Sequence, residues 1–224
     1  MTRILTLTGA SGSGKSTIAK EILKSPAFSL IVSFTTRGTR PTDLNGEYKC
    51  ISTDEFLKLK SRGHFLWTMK LRGDNYGTLK YSIDLALESH TKTSVMILIP
   101  EVLKILSDYV GHENVLSLFI TTPTQTIWER LTHGLQVQRT ALELAEMKAY
   151  NSGDEKLAVE IQNQMAELEA RMGEKRTEIE KRLNDQKNWE EETRKVGVPY
   201  KVIPNDGTLD ETMAKIRPLI SYAS

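Results

Sequence analysis

Leu5-Thr6-Leu7-Thr8-Gly9-Ala10-Ser11-Gly12-Ser13-Gly14-Lys15-Ser16-Thr17 decides the fold. From Gly9 to Ser16 it has the form G-x-x-x-x-G-K-S. An apolar run, Ile4 to Leu7, precedes it, and a helical pattern, Thr17 to Leu23, follows it. That is the strand–loop–helix setting a phosphate-binding loop needs. The glycines let the backbone take positive φ and approach an anion closely. Successive N–H groups then point into the loop, at the positive end of a helix. Lys15 adds a charge for terminal phosphates, and the Ser16 hydroxyl is a ligand for Mg²⁺. Gly9, Ser11, Gly12, Ser13, Gly14, Lys15, Ser16 and Thr17 are therefore the candidate residues for ATP, with Ser16 the candidate metal ligand and Lys15 the first candidate catalytic group.

At 224 residues the chain can form one sizeable core plus an extra element. A net charge of +1 gives no bulk field for nucleic acid or a membrane surface. The single cysteine, Cys50, cannot make an internal disulfide and fits a reducing compartment; it reads as a small, partly buried residue. A first strand is expected within three residues, so no signal peptide is expected, and no apolar run is long enough to span a bilayer. The expected setting is cytoplasmic.

Along the chain, strands are expected near 3–8, 28–32, 46–51, 65–71, 95–99, 115–120 and 200–203. Helices are expected near 15–24, 54–61, 79–89, 101–110, 123–132 and 209–220, with Ser33 to Asn45 as loop and Gly73-Asp74-Asn75 as a turn. Alternating strands and helices imply a mostly parallel sheet. The stretch 34–80 has strands without long helices between them and reads as a small side domain. The stretch 135–195 is rich in Glu, Lys, Gln, Arg, Ala and Leu. In it Ile161, Met165, Leu168, Met172 and Ile179 follow a 3–4 spacing, a coiled-coil-like seam interrupted at Lys175. Asn151-Ser152-Gly153-Asp154 breaks the run, which predicts a helical hairpin, about 136–150 out and 154–194 back. Its seam permits a homodimer.

The loop Ser33-Phe34-Thr35-Thr36-Arg37-Gly38-Thr39-Arg40-Pro41 supplies arginine forks and hydroxyls suited to a second phosphate. Asn45-Gly46-Glu47-Tyr48 and Gly73-Asp74-Asn75-Tyr76-Gly77-Thr78 follow. Thr-Thr-Arg-x-x-Arg-Pro, then Asn-Gly-x-Tyr, a Phe-Leu-x strand and Tyr-Gly-Thr, resembles the acceptor domain of guanylate kinases. The resemblance covers about 1–132 and resumes at about 178–221. It implies an α/β fold: a P-loop NTPase three-layer core (1–33, 81–132 and 196–224), a small mixed β domain binding the acceptor nucleoside monophosphate (34–80), and a lid carrying the inserted hairpin (133–195). By that resemblance Arg37, Arg40, Tyr48 and Tyr76 hold the acceptor's phosphate, Ser33 and Thr78 face its base, Asn205 lies in the nucleotide loop, and Arg130 and Arg182 are lid arginines that neutralise the transferring phosphoryl group.

Two departures bear on specificity. Where the family carries a glutamate that reads guanine, this chain has Trp67. Where its next core strand ends in aspartates, this chain has Met96-Ile97-Leu98-Ile99-Pro100-Glu101, leaving Glu101 as the nearby carboxylate. The lid also lacks the family's Arg-Gly pair after Arg130, with Arg139 a candidate substitute. The expected reaction is phosphoryl transfer from ATP–Mg²⁺ to a nucleoside or deoxynucleoside monophosphate, with a base other than guanine in play. The alternatives are a ribose 1,5-bisphosphate phosphokinase-like enzyme and a non-catalytic binding module of the same fold.

Overall fold

A computed structural model describes residues 3–10, 12–38, 43–71, 73–89 and 91–221. Two compact units emerge. The first comprises Met1–Gly9, Ser13–Thr121 and Asn188–Ser224, the second Ala10–Gly12 and Thr122–Lys187.

In chain order the first unit begins with β1 (Ile4–Gly9), α1 (Lys15–Ile22), β2 (Phe28–Leu30), β3 (Ser33–Thr35), β4 (Tyr48–Cys50), α2 (Thr53–Ser61), β5 (Phe65–Leu71) and β6 (Asp74–Leu79). It continues with α3 (Lys80–Glu88), β7 (Thr93–Ile97), α4 (Pro100–Val110) and β8 (Val115–Thr121). Two long helices follow, α5 (Thr124–Ser152) and α6 (Glu155–Lys195), then β9 (Tyr200–Pro204) and α7 (Leu209–Ser221).

The main sheet has the order β2-β7-β1-β8-β9 and is parallel throughout. Its central strands are apolar on both faces because both are covered by helices. Leu5, Leu7, Val95, Leu118 and Ile120 pack on one face with Ile18 and Ile22 of α1 and Met213, Ile216 and Ile220 of α7. Ile4, Met96 and Leu98 pack on the other with Ile83 and Ala86 of α3 and Val102, Leu103 and Leu106 of α4. This is the three-layer α/β core expected from the sequence. Burying each such Leu or Ile contributes on the order of 2 kcal/mol.

The second sheet, β4-β3-β6-β5, is mixed, with β3 and β4 parallel and the β3–β6 and β5–β6 pairs antiparallel. Ser33 to Thr35, read as loop, is a strand, because Phe34 has a buried partner on one face while Ser33 and Thr35 are buried on the other. Asp74 and Asn75, read as turn, are already paired with Leu71 and Lys70 in β6. Cys50 is exposed, at the open edge strand β4.

In the second unit, α5 runs unbroken from Thr124 to Ser152, through the point near Thr132 where the sequence suggests an end. Gly153 closes it with φ 70°, a left-handed cap that favours glycine. Asp154 then caps α6, its Oδ1 accepting from the Leu157 N–H at 3.0 Å. Ala149, Ala158 and Ile161 form the buried seam between the arms, flanked by Leu142, Ala145 and Met165. Ile161, Leu168 and Ile179 are buried, as the 3–4 spacing predicts. Among the described residues, no helix is long and apolar enough to cross a membrane.

Candidate active site

The loop after β1 takes its shape from three glycines, with φ 141° at Gly9, 87° at Gly12 and 92° at Gly14. At Gly9 a Cβ would lie 2.3 Å from the Ile120 carbonyl oxygen, so no side chain fits. Gly14 is the N-cap of α1, and Lys15, Ser16 and Thr17 form its first turn. This is a cradle of backbone N–H groups at a helix N-terminus, with the Ser16 hydroxyl beside it as a hard oxygen donor for Mg²⁺. Ser11 lies outside the described residues.

Lys15 Nζ donates to the Gly9 carbonyl at 2.7 Å. Burial pushes its ammonium down to about 8, opposed in part by the charge of Glu47. Asn205 braces the loop from the end of β9. Its Nδ2 donates to the Ser13 carbonyl at 2.6 Å, its Oδ1 accepts from Thr212 Oγ1 at 2.8 Å, and its backbone N–H donates to the Thr121 carbonyl at 2.8 Å. Asn205 thus fixes the backbone at Ser13. Thr212, which orients the Asn205 amide, carries no sequence signal, because a buried threonine on a closing helix looks like core.

The mixed sheet assembles the acceptor candidates on one face. Tyr48 pairs with Ser33, and Trp67 with Thr78. Phe34 lies opposite Gly77 and Thr35 opposite Tyr76, which brings Ser33 beside Thr78, and their hydroxyls meet at 2.8 Å. A row Tyr48–Ser33–Thr78–Trp67 therefore crosses the sheet, with Tyr76 on the same face two residues along β6. The Tyr48 and Tyr76 rings meet edge to face at 5.9 Å. The other face holds Phe34 and Phe65, packed on Phe56 of α2.

Phe65 and Trp67 are two residues apart and would share a face in a regular strand. A register shift between them puts Phe65 with the Phe34–Phe56 cluster and Trp67 in the acceptor row. Gly77 makes room for this: a Cβ there would sit 2.8 Å from the Trp67 carbonyl oxygen and 2.9 Å from the Phe65 ring. The Trp67 ring packs against the buried cluster that includes Ile83, Leu98 and Val102, and its Nε1 is buried with no hydrogen-bond partner among the described residues. Glu101 is exposed in the first turn of α4.

Arg37 is 8% exposed and held on several sides. Its Nη2 donates to both Asp43 oxygens (2.9 and 3.0 Å), its Nε to Tyr76 Oη (3.1 Å) and its Nη1 to the Gly38 carbonyl (2.8 Å). Its guanidinium also stands 5.3 Å from the Tyr48 ring centroid. Glu47 accepts from the Leu44 N–H at 3.1 Å, and burial raises its carboxyl above the usual range. Burial, then Glu47, push the Tyr48 phenol up. Asp43 and Glu47 are site carboxylates that the sequence reading passed over, although both stand within or beside quoted motifs. Arg40 lies outside the described residues. Arg130 and Arg139 are exposed on α5 of the second unit, Arg139 paired with Glu143 at 2.9 Å. Arg182 belongs to α6, its side chain outside the described residues.

The family model described as guanylate kinase matches residues 1–163. A guanylate kinase of Wolinella succinogenes is 36% identical over 160 residues, covering 66% of this chain and 69% of that protein. A guanylate kinase of Trichormus variabilis is 31% identical over 134 residues, covering 59% of this chain and 66% of that protein. The crystal structure of guanylate kinase from Anaplasma phagocytophilum superposes with a TM-score of 0.54 over 98% of this chain and 85% of that one, at 18% identity, a likeness of fold.

Proposed function

We propose that this chain, which belongs to the guanylate kinase family, takes an acceptor whose base is not guanine. It is a nucleoside monophosphate kinase, transferring a phosphoryl group from ATP with Mg²⁺ to the acceptor's phosphate. The Ser16 hydroxyl would hold Mg²⁺, which would supply positive charge at the transferring phosphate. Lys15 leaves the Gly9 carbonyl for the transferring phosphate. The acceptor's phosphate is already anionic, so no general base is required, and catalysis is positioning plus charge neutralisation. Tyr48, Tyr76, Arg37 and Arg40 hold the acceptor's phosphate, and Ser33, Thr78 and Trp67 face its base. In this reading residues 34–80 are the acceptor domain, 133–195 the lid, and Arg130 and Arg182 close on the reacting phosphates.

One observation carries the base assignment: Trp67 stands in the row with Ser33 and Thr78, and its buried N–H lacks a partner among the described residues. Indole can only donate. Guanine's pairing edge carries two donors, N1–H and N2–H₂, beside the O6 acceptor, so an indole N–H placed at its N1 would meet donor with donor. Adenine N1 and cytosine N3 are acceptors at the corresponding place. A site whose polar groups are left unpaired rejects a base strongly.

The test is ADP release from ATP–Mg²⁺ with every ribo- and deoxynucleoside monophosphate and with ribose 1,5-bisphosphate. Preference for an adenine or cytosine monophosphate is the expected result. Preference for GMP or dGMP overturns the base assignment and leaves the kinase reading standing. Turnover with the sugar bisphosphate alone means that Trp67 fills the base's place. We also propose that the hairpin joins two copies of the chain, its exposed apolar residues being the supporting observation.

A further inference from the structure

Helix α5 has two apolar sides. Leu142, Ala145 and Ala149 face α6 in the hairpin seam. On the opposite side Val137, Thr140, Leu144, Met147 and Asn151 follow one another at steps of three, four, three and four, the a/d spacing of a two-stranded coiled coil. Val137 is 56% exposed, Leu144 54% and Met147 62%. Large apolar side chains exposed in line on one face of a long helix are the kind of patch that marks a contact surface.

We propose that this stripe is where two copies of the chain meet, α5 against α5 and parallel. This deepens the reading of a hairpin dimer given above and is independent of the base assignment. The flanking charges select both occupant and direction. With Val137, Leu144 and Asn151 at a and Thr140 and Met147 at d, Glu143 falls at g and Lys148 at e. In a parallel pair a g residue meets the e residue five positions on in the other helix, which joins Glu143 to Lys148 of the second copy, twice by symmetry. An antiparallel pair matches g with g and e with e, which sets Glu143 against Glu143 or Tyr150 according to register and leaves Lys148 without a carboxylate opposite. Glu143 Oε1 accepts from Arg139 on its own helix, leaving Oε2 for the second copy. Asn151 at an a position pairs with itself only in the parallel register, a device that fixes alignment. The stripe is self-complementary in one arrangement, and a second copy supplies it without any further partner.

Sedimentation of the full chain across micromolar concentrations tests the proposal, with ADP release per chain and helix content by circular dichroism as controls for folding. The wild type is expected to be dimeric. The pair Leu144→Glu with Met147→Glu is expected to be monomeric and folded. Glu143→Lys is expected to weaken dimerisation several-fold, and adding Lys148→Glu to restore it. In a Cys50→Ser background, Val137→Cys is expected to oxidise to a cross-linked dimer, since a layers self-pair only when the helices are parallel. A wild type monomeric throughout overturns both this face and the hairpin dimer. A dimer that survives Leu144→Glu with Met147→Glu overturns this face alone. A dimer that dissociates with those changes but fails to cross-link at residue 137, or is not restored by the charge exchange, overturns the parallel register.

Discussion

Replacing Lys15 by methionine should abolish turnover and stabilise the nucleotide-free protein. Burial holds the Lys15 ammonium at about 8 against an ordinary 10.5. Each unit is worth about 1.4 kcal/mol, so keeping the charge in the empty loop at neutral pH costs about 3 kcal/mol. Methionine keeps the length of the stem and removes the charge. It also loses the bond to the Gly9 carbonyl, worth about 1 kcal/mol, so the net gain at pH 7 is about 2 kcal/mol. The sign with pH follows from proton counting. Below about 8 both folded and unfolded wild type hold the proton, and the penalty is complete. Between about 8 and 10.5 the unfolded chain binds more protons than the folded one, so wild-type stability rises relative to the variant. Above 10.5 the penalty is gone. Urea denaturation of both proteins at pH 7, 8, 9 and 10, without nucleotide, measures the difference. A variant no more stable than wild type at pH 7, with a gap that does not close as pH rises, would refute the reasoning.

Arg37→Ala should lower stability by about 3 kcal/mol, because it removes a mostly buried guanidinium that donates to both Asp43 oxygens and to the Tyr76 hydroxyl, and acceptor-dependent ADP release should fall more than ATP binding; urea denaturation and kinetics measure both. Thr78→Val should cost about 1–3 kcal/mol by leaving the buried Ser33 hydroxyl unpaired, whereas Ser33→Ala with Thr78→Val should be nearly neutral; a double-mutant cycle giving simple additivity would break the pairing argument. Gly9→Ala should destabilise by more than about 2 kcal/mol, since the added methyl meets the Ile120 carbonyl and φ 141° is strained for alanine; thermal melting checks it. Ile161→Ala should cost about 2–4 kcal/mol of hairpin stability, read by local hydrogen exchange across α5 and α6.

Much of this was legible in the chain because the relevant physics is local. Gly9 to Ser16 declares its loop through backbone freedom and one charge, and Ile161, Leu168 and Ile179 declare a seam through spacing alone. The mixed sheet was harder. Ser33 to Thr35 is only three residues long, and its burial comes from β4 and β6, which arrive from elsewhere in the chain. The same is true of Asp43. Its carboxylate matters because Arg37 reaches it, and nothing in the spacing of a polar loop fixes where a guanidinium will turn.

The register shift at Phe65 and Trp67 is the most consequential of these long-range effects. A period-2 reading of Phe65-Leu66-Trp67 sends both rings to one side, into a common aromatic core. The shift separates them, and Gly77 on the neighbouring strand is what permits it, because any larger residue would strike both the Phe65 ring and the Trp67 carbonyl. In the proposed reading, base selection therefore rests on a backbone irregularity as much as on a side chain. Trp67→Glu alone would place a carboxylate in the row beside Thr78. Gly77→Ala, with Trp67 untouched, should force the strands apart and disturb the same row from behind. If acceptor preference changes in both variants while ATP binding does not, the bulge and the indole act as one device. If Gly77→Ala leaves acceptor preference intact, the row is held by its hydroxyl and ring contacts alone.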